Sequence, residues 1–212
     1  MRHKVFTSVF VAFILSFSAV DLPAQDAETH NTSQPRFPSP NGRYGMLLTE
    51  DPSGDAEKTR IELVELATKR VLAELREEDD WPDAATNANL EWSKDSTRVA
   101  AYKGGRRGGT TRLFVREGDG FVEVKLPELP VLPDEESAEV RKKHPGGFGH
   151  AITIRDLDFV RWLKSGVILD LRNCWSGPTG SVSHNIRMTF EIDAQHKARI
   201  TSVERKETFD KD

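Results

Sequence analysis

The chain has 212 residues, with 30 Lys and Arg against 34 Asp and Glu for a formal charge of −4, 37% hydrophobic residues and a single cysteine. That balance excludes a disordered polyelectrolyte, a bundle of membrane-spanning helices and a pair of large domains. Its mild acidity supplies no net field to gather nucleic acid or an anionic membrane surface, and a lone Cys174 excludes an internal disulfide.

Arg2 and Lys4 precede a mostly apolar run over 5–20 that is short for a bilayer span, and Leu22-Pro23-Ala24 places a small residue before a plausible cut. The pattern predicts a secretory signal peptide over 1–24, hence a periplasmic or secreted protein with no stable membrane insertion after cleavage. The rival reading is an uncleaved anchor helix, against which Thr7, Ser8, Ser16 and Ser18 dilute the run. Cleavage removes Arg2, Lys4 and Asp21 and leaves a formal charge of −5. Cys174 then reads as a small buried hydrophobe, with pairing between chains as the alternative.

Prolines and small polar residues over 25–40 interrupt any periodicity, so an extended leader is expected there. Ser39-Pro40-Asn41-Gly42-Arg43 then supplies turn chemistry before a strand at 44–49. Ile61, Leu63 and Leu66 mark a second strand, and Ala67-Thr68-Lys69 turns into a third at 71–75, an antiparallel meander. An acidic connector over 76–88 carries Trp81-Pro82.

The stretch N-L-E-W-S-K-D-S-T-R-V-A-A-Y over 89–102 opens the most complete unit. Leu90 and Trp92 alternate with polar neighbours, Ser93-Lys94-Asp95-Ser96 turns, and strands are expected at 88–92, 98–103, 111–116 and 121–126. Pro127, Pro130 and Pro133 punctuate an apolar linker. Asp134 as N-cap, basic residues at 141–143 and Pro145-Gly146-Gly147 as a stop predict a short helix over 135–143. The last unit, 151–206, is expected to hold strands at 152–162 and 167–172, a third through the alternating Ile186, Met188, Phe190 and Ile192, and a fourth at 198–203. A loop over 173–183 would carry Cys174 and Trp175. The prediction is an all-β fold: one repeat domain over 41–206 of three antiparallel, blade-like, four-stranded sheets with one short inserted helix, and a tail at 207–212.

Trp92-Ser93-Lys94-Asp95-Ser96, Ser39-Pro40-Asn41-Gly42-Arg43 and the run L-V-E-L-A-T-K-R-V-L over 63–72 resemble the repeats of TolB-type β-propellers, also described as WD-like propeller repeats. Lys94 stands where that family usually has proline, and the third copy, Arg161-Trp162-Leu163-Lys164-Ser165-Gly166, lacks the aspartate. The resemblance implies blade-like sheets and an exported protein. Closed propellers take about four to eight blades, so three units imply a partial or open array. The alternating charges of Val203-Glu204-Arg205-Lys206-Glu207 read as edge protection, which favours a monomeric arc over a dimer that completes a ring.

Motifs that could carry chemistry are sparse. Gly104-Gly105-Arg106-Arg107-Gly108-Gly109-Thr110-Thr111 nearly spells a phosphate-binding loop, but Thr110 takes the place of the lysine and a strand is expected where a helix should begin. A hairpin loop with two solvated arginines is the simpler reading. His144 and His150 flank a Gly-rich stretch that could close on a metal only if His184, Asp156, Asp158 or Cys174 joined them in the fold; as a helix stop, His144 instead caps the helix dipole. No G-x-S-x-G elbow is present, and Glu77-Glu78-Asp79-Asp80 reads as solvated charge. No catalytic residue, metal or cofactor is therefore expected. Trp81, Arg106, Arg107, His150 and Trp175 are the candidate contact residues for a protein or small ligand, while Trp92 and Trp162 are expected in the core. The sequence reads as an exported, non-enzymatic interaction or ligand-binding module, with a small metal-dependent or hydrolytic enzyme using the His144 and His150 loop as the alternative. Intact-mass measurement of the exported protein is expected to place its first residue near Gln25, and a retained Met1 would refute cleavage.

Overall fold

A computed structural model describes residues 35–49, 60–75, 87–105, 108–130, 142, 152–177 and 180–210. The expected signal peptide, the connector at 76–86 and, apart from the helical Lys142, the expected helix over 135–143 lie outside the described residues. The rest is nearly all β, as the alternating patterns require: β1 (Tyr44–Thr49), β2 (Arg60–Glu65), β3 (Val71–Glu74), β4 (Asn87–Trp92), β5 (Arg98–Gly105), β6 (Gly108–Glu117), β7 (Gly120–Glu123), β8 (Ile152–Trp162), β9 (Gly166–Gly177), β10 (Gly180–Ile192) and β11 (Ala198–Asp210).

These strands build two open sheets rather than three separate ones. β1, β2 and β3 form an antiparallel three-stranded sheet, with Arg36 bridging to Met46 at the outer edge of β1. The other eight strands form one sheet, in the order β11-β10-β9-β8-β6-β5-β4 with β7 beside β6. The expected second and third units merge because β6 is long enough to pair twice along one side. Its Phe114 to Glu117 half takes β7, and Gly108 and Gly109 pair in parallel with Arg155 and Asp156 of β8. β11 is an edge strand, as its charge alternation predicts.

The expected loop over 173–183 is instead strand: β9 runs to Gly177 and β10 resumes at Gly180, so Cys174 and Trp175 sit in the ladder opposite Ser183 and Val182. The apolar alternation fades in this stretch, and ladder hydrogen bonds need no side-chain pattern to continue once a neighbouring strand is in register. The expected strand at 121–126 ends at Glu123, after which Lys125 bridges to Lys197.

β5 and β6 bury both faces. Val99, Ala101 and Phe114 point into one apolar cluster with Tyr44, Met46, Ile61 and Leu63 of the smaller sheet. Ala100, Leu113 and Val115 point into another with Leu157, Leu169, Ile186, Met188 and Phe190. The near-continuous apolar runs Val99-Ala100-Ala101 and Leu113-Phe114-Val115 are what such two-sided burial demands.

Two turns are alike bond for bond. In the first, the Ser39 hydroxyl donates to Asn41 Oδ1 (2.8 Å) and accepts from the Tyr44 N–H (3.0 Å), while Asn41 Oδ1 also accepts from the Arg43 N–H. In the second, the Ser93 hydroxyl donates to Asp95 Oδ1 (2.6 Å) and accepts from the Arg98 N–H (2.9 Å), while Asp95 Oδ1 accepts from the Thr97 N–H. Gly42 and Ser96 hold the same left-handed position at φ 68° and 59°. Hydrogen bonds from Ser93 and Thr97 hold the Asp95 carboxyl well down, at about 2. The third copy is two residues shorter, closed by Leu163 N–H to the Gly166 carbonyl.

A recurring contact ties these turns together. Trp92 Nε1 donates to the Phe37 carbonyl (2.9 Å), two residues before Ser39, and Trp162 Nε1 donates to the Glu91 carbonyl (2.9 Å), two residues before Ser93. The Tyr44 ring lies 6.0 Å from Trp92 at 21°, and the Arg98 guanidinium lies 5.0 Å over Trp162 in the matching place. The Asn41 N–H also donates to the buried Ser96 hydroxyl, joining the two turns directly.

Both tryptophans are half-buried against the clusters rather than enclosed within them, which corrects the expectation of core residues. An indole N–H needs a polar partner, and the carbonyl that satisfies it lies at the sheet margin. Trp92→Ala should accordingly cost about 2 to 3 kcal/mol, below the figure for an enclosed tryptophan, and Trp92→Phe about 1 kcal/mol for the lost hydrogen bond. Urea melts of the two variants check this, and equal losses would refute the indole bond's contribution.

Candidate functional site

The parallel junction between β6 and β8 is where the chemistry collects, and glycine permits it. A Cβ on Gly108, at φ 128°, would lie 1.7 Å from the Arg155 carbonyl oxygen, and one on Gly109 would lie 2.4 Å from the Tyr102 hydroxyl. The Gly-rich stretch is therefore a hairpin that lets two backbones and a tyrosine meet. A strand follows it rather than a helix, as expected.

Tyr102 crosses the junction to donate its hydroxyl to Asp156 Oδ1 (3.2 Å), while Arg172 Nη2 binds Asp156 Oδ2 (2.7 Å). Asp156 is 4% exposed, so both oxygens of a buried carboxylate are satisfied, one by each partner. Burial, then the neighbouring Asp156 and Asp158 carboxylates, push the Tyr102 phenol up to about 12. It stays a donor throughout the physiological range.

Register extends this corner into a grid on the outer face of the sheet. Asp156, Arg172, Asn185 and Lys206 stand side by side across β8, β9, β10 and β11. One row along stand Asp158, Asp170, Arg187 and Glu204. Arg187 grips Asp170 through two parallel bonds of 2.9 and 2.8 Å, and Arg172 also reaches Asp158 at 3.7 Å. Burial, and then the Asp156 and Asp170 carboxylates, raise the Asp158 carboxyl above the ordinary range, with Arg172 opposing them. Together with Phe159, Val160 and Arg205 this face lines a groove of about 840 Å³. No Ser, Thr, Cys or His lines it among the described residues. What it presents is fixed hydrogen-bond donors beside fixed acceptors.

The residues singled out from sequence fall elsewhere. Trp81, Arg106, Arg107 and His150 lie outside the described residues, as does His144, and of Trp175 only the backbone is described, on β9 opposite Thr153 and Val182. Asp156 and Asp158 share the groove face. His184, buried beside Ile186 and Met188 in the alternation of β10, takes the opposite face, with Glu207 3.5 Å from its Nδ1. These cannot converge on one metal. Cys174 is partly buried on β9, short of the full burial expected. Among the described residues no group of three or more His, Cys, Asp and Glu is placed to hold a metal ion, and no helix is long and apolar enough to cross a membrane.

The Asp170, Arg172, Asn185 and Arg187 set escaped the sequence reading because only cross-strand register brings it together. The available signal was a polar alternation, Asp170, Arg172 and then Asn185, Arg187, on strands whose other face is apolar.

No protein-family model matches the chain, and no curated protein matches it.

Only two tyrosines are present in the chain. Ultraviolet titration is expected to show the Tyr102 phenol ionising near 12, and Tyr102→Phe to remove that step. Because its folded pKa is raised above the ordinary 10, Tyr102 leaves stability unaffected below pH 10 and subtracts from it as pH rises from 10 to 12, where the unfolded chain ionises first.

Proposed function

We propose that the chain is an exported, non-enzymatic ligand-binding or interaction module of propeller-repeat type, and that its contact surface is the groove on the outer face of β8, β9, β10 and β11. The single observation that carries the reading is that groove: about 840 Å³, within the usual range of ligand sites, and walled by side chains held in place by their own ion pairs. Salt-bridged carboxylates and guanidiniums orient a ligand well, and they make poor nucleophiles. That combination supports binding over turnover.

The propeller-repeat part rests on the twin turns and the repeated indole contact, which recur with the same atoms at the same offsets. The contact has no provision to continue at either end. Pro38 stands where the first segment would carry the tryptophan, and Gly166 stands where the third would carry the stacking side chain. Those two positions favour the monomeric open arc over a ring completed by a second copy. The exported part rests on residues 1–24 alone.

A thermal-shift screen of residues 25–212 against small metabolites, saccharides and peptides tests the reading. A ligand at a hundredfold its Kd adds about 2.7 kcal/mol, a rise of roughly 5 to 10 °C for a chain of this size. The rise is expected in the wild type and not in the double variant Asp170→Val with Arg187→Val, whose loss of an exposed ion pair should itself cost under about 1 kcal/mol. An equal rise in both proteins would move the site elsewhere, and turnover of the ligand would overturn the non-enzymatic assignment.

A further inference from the structure

The charges of the groove narrow what it can hold. Three carboxylates (Asp158, Asp170, Glu204) face four cations (Arg172, Arg187, Arg205, Lys206), and Asp156, bonded to Arg172, brings the sum to zero. A groove without net charge has no net field that favours an anion over a cation. Yet it is densely polar, and its polar groups are of two complementary kinds. A guanidinium carries five N–H donors and no acceptor, and a carboxylate carries about four acceptor sites and no donor. The Arg187–Asp170 pair consumes two of each, so unused donors remain directly beside unused acceptors.

The group that satisfies such adjacency is one that donates and accepts at the same atom. A hydroxyl does so, and two hydroxyls on neighbouring carbons span a donor and an acceptor at once. A carboxylate ligand does not, since it only accepts, and an ammonium does not, since it only donates. Asn185, between Arg172 and Lys206 in register, adds an amide that offers both kinds within one side chain. Val160 supplies an apolar contact on the lining against which the C–H face of a ring can pack.

We infer that the groove binds a neutral, polyhydroxylated ligand, an uncharged oligosaccharide, with the Asp170–Arg187 pair and Asn185 reading its hydroxyls. The inference rests on the groove being the binding surface, as proposed above, and specifies the ligand class for it.

Calorimetric titration of residues 25–212 with maltotriose, cellotriose and chitotriose as neutral probes, and with trigalacturonate and ATP as anionic ones, tests the assignment. At least one neutral trisaccharide is expected to bind, with an affinity that changes less than about twofold as salt is raised toward 1 M, because no net charge is neutralised. Asp170→Val with Arg187→Val is expected to weaken it at least about tenfold, the loss of one to two charge-assisted hydrogen bonds. Asn185→Val, which touches no ion pair, is expected to weaken the same sugar and so serves if the double variant does not fold. Binding of the anionic probes alone, with steep salt dependence and sensitivity to the groove variants, would overturn the neutral class while leaving the groove as a binding surface. A neutral sugar bound equally well by wild type and variants would overturn both the class and the site. Failure of all three neutral sugars would overturn the saccharide assignment, whatever other ligand the thermal screen returns.

Discussion

The paired strands β5 and β6 have no solvent face to spare, and the rest of the described structure follows from that. Alternate residues of β5 and β6 enter opposite apolar clusters, so a layer must cover each side. The three-stranded sheet covers one and β8 to β11 cover the other. At roughly 25 cal/mol per Å² of apolar surface, leaving either side open would forfeit several side chains' worth of burial.

The layers are held in register at their margin rather than in their middle. Apolar contacts are non-directional and tolerate sliding, whereas an indole N–H pointed at one particular carbonyl does not. Trp92 on Phe37 and Trp162 on Glu91 therefore set the stagger between successive layers, and the Asn41 to Ser96 bond repeats the constraint between turns. Gly166 ends the series for a local reason as well as a positional one. A Cβ there would meet the Phe190 carbonyl oxygen at 1.8 Å, so no stacking side chain can be grown at that site.

The end of the stack is where the molecule turns polar. On β9 and β10 the inward set is Leu169, Leu171, Ile186 and Met188, and the outward set is Asp170, Arg172, Asn185 and Arg187. Charges laid across neighbouring strands at pairing distance neutralise one another, which keeps an exposed sheet face soluble without leaving it apolar. The same arrangement makes the outer face a groove with fixed hydrogen-bonding geometry. Solubility and the proposed binding role draw on one set of side chains.

Much of the fold was legible in local chemistry. Alternation located β1, β4 and β8 to within a residue, Ser-x-Asn-Gly and Ser-x-Asp-Ser announced twin turns, and the V-A-A and L-F-V runs carried the sign of two-sided burial. These are properties of a few consecutive residues, and the physics that decides them, turn sterics and side-chain period, acts over that range. What only tertiary structure decided were matters of register and approach between distant strands. The merging of two expected sheets depends on Gly108 meeting Arg155, the continuation of β9 through Cys174 depends on a partner strand, and the half-burial of Trp92 depends on a carbonyl 55 residues away. The groove belongs to the same class. Asp156, Arg172, Asn185 and Lys206 are separated along the chain, and backbone hydrogen bonds across four strands, not any local preference, set them side by side.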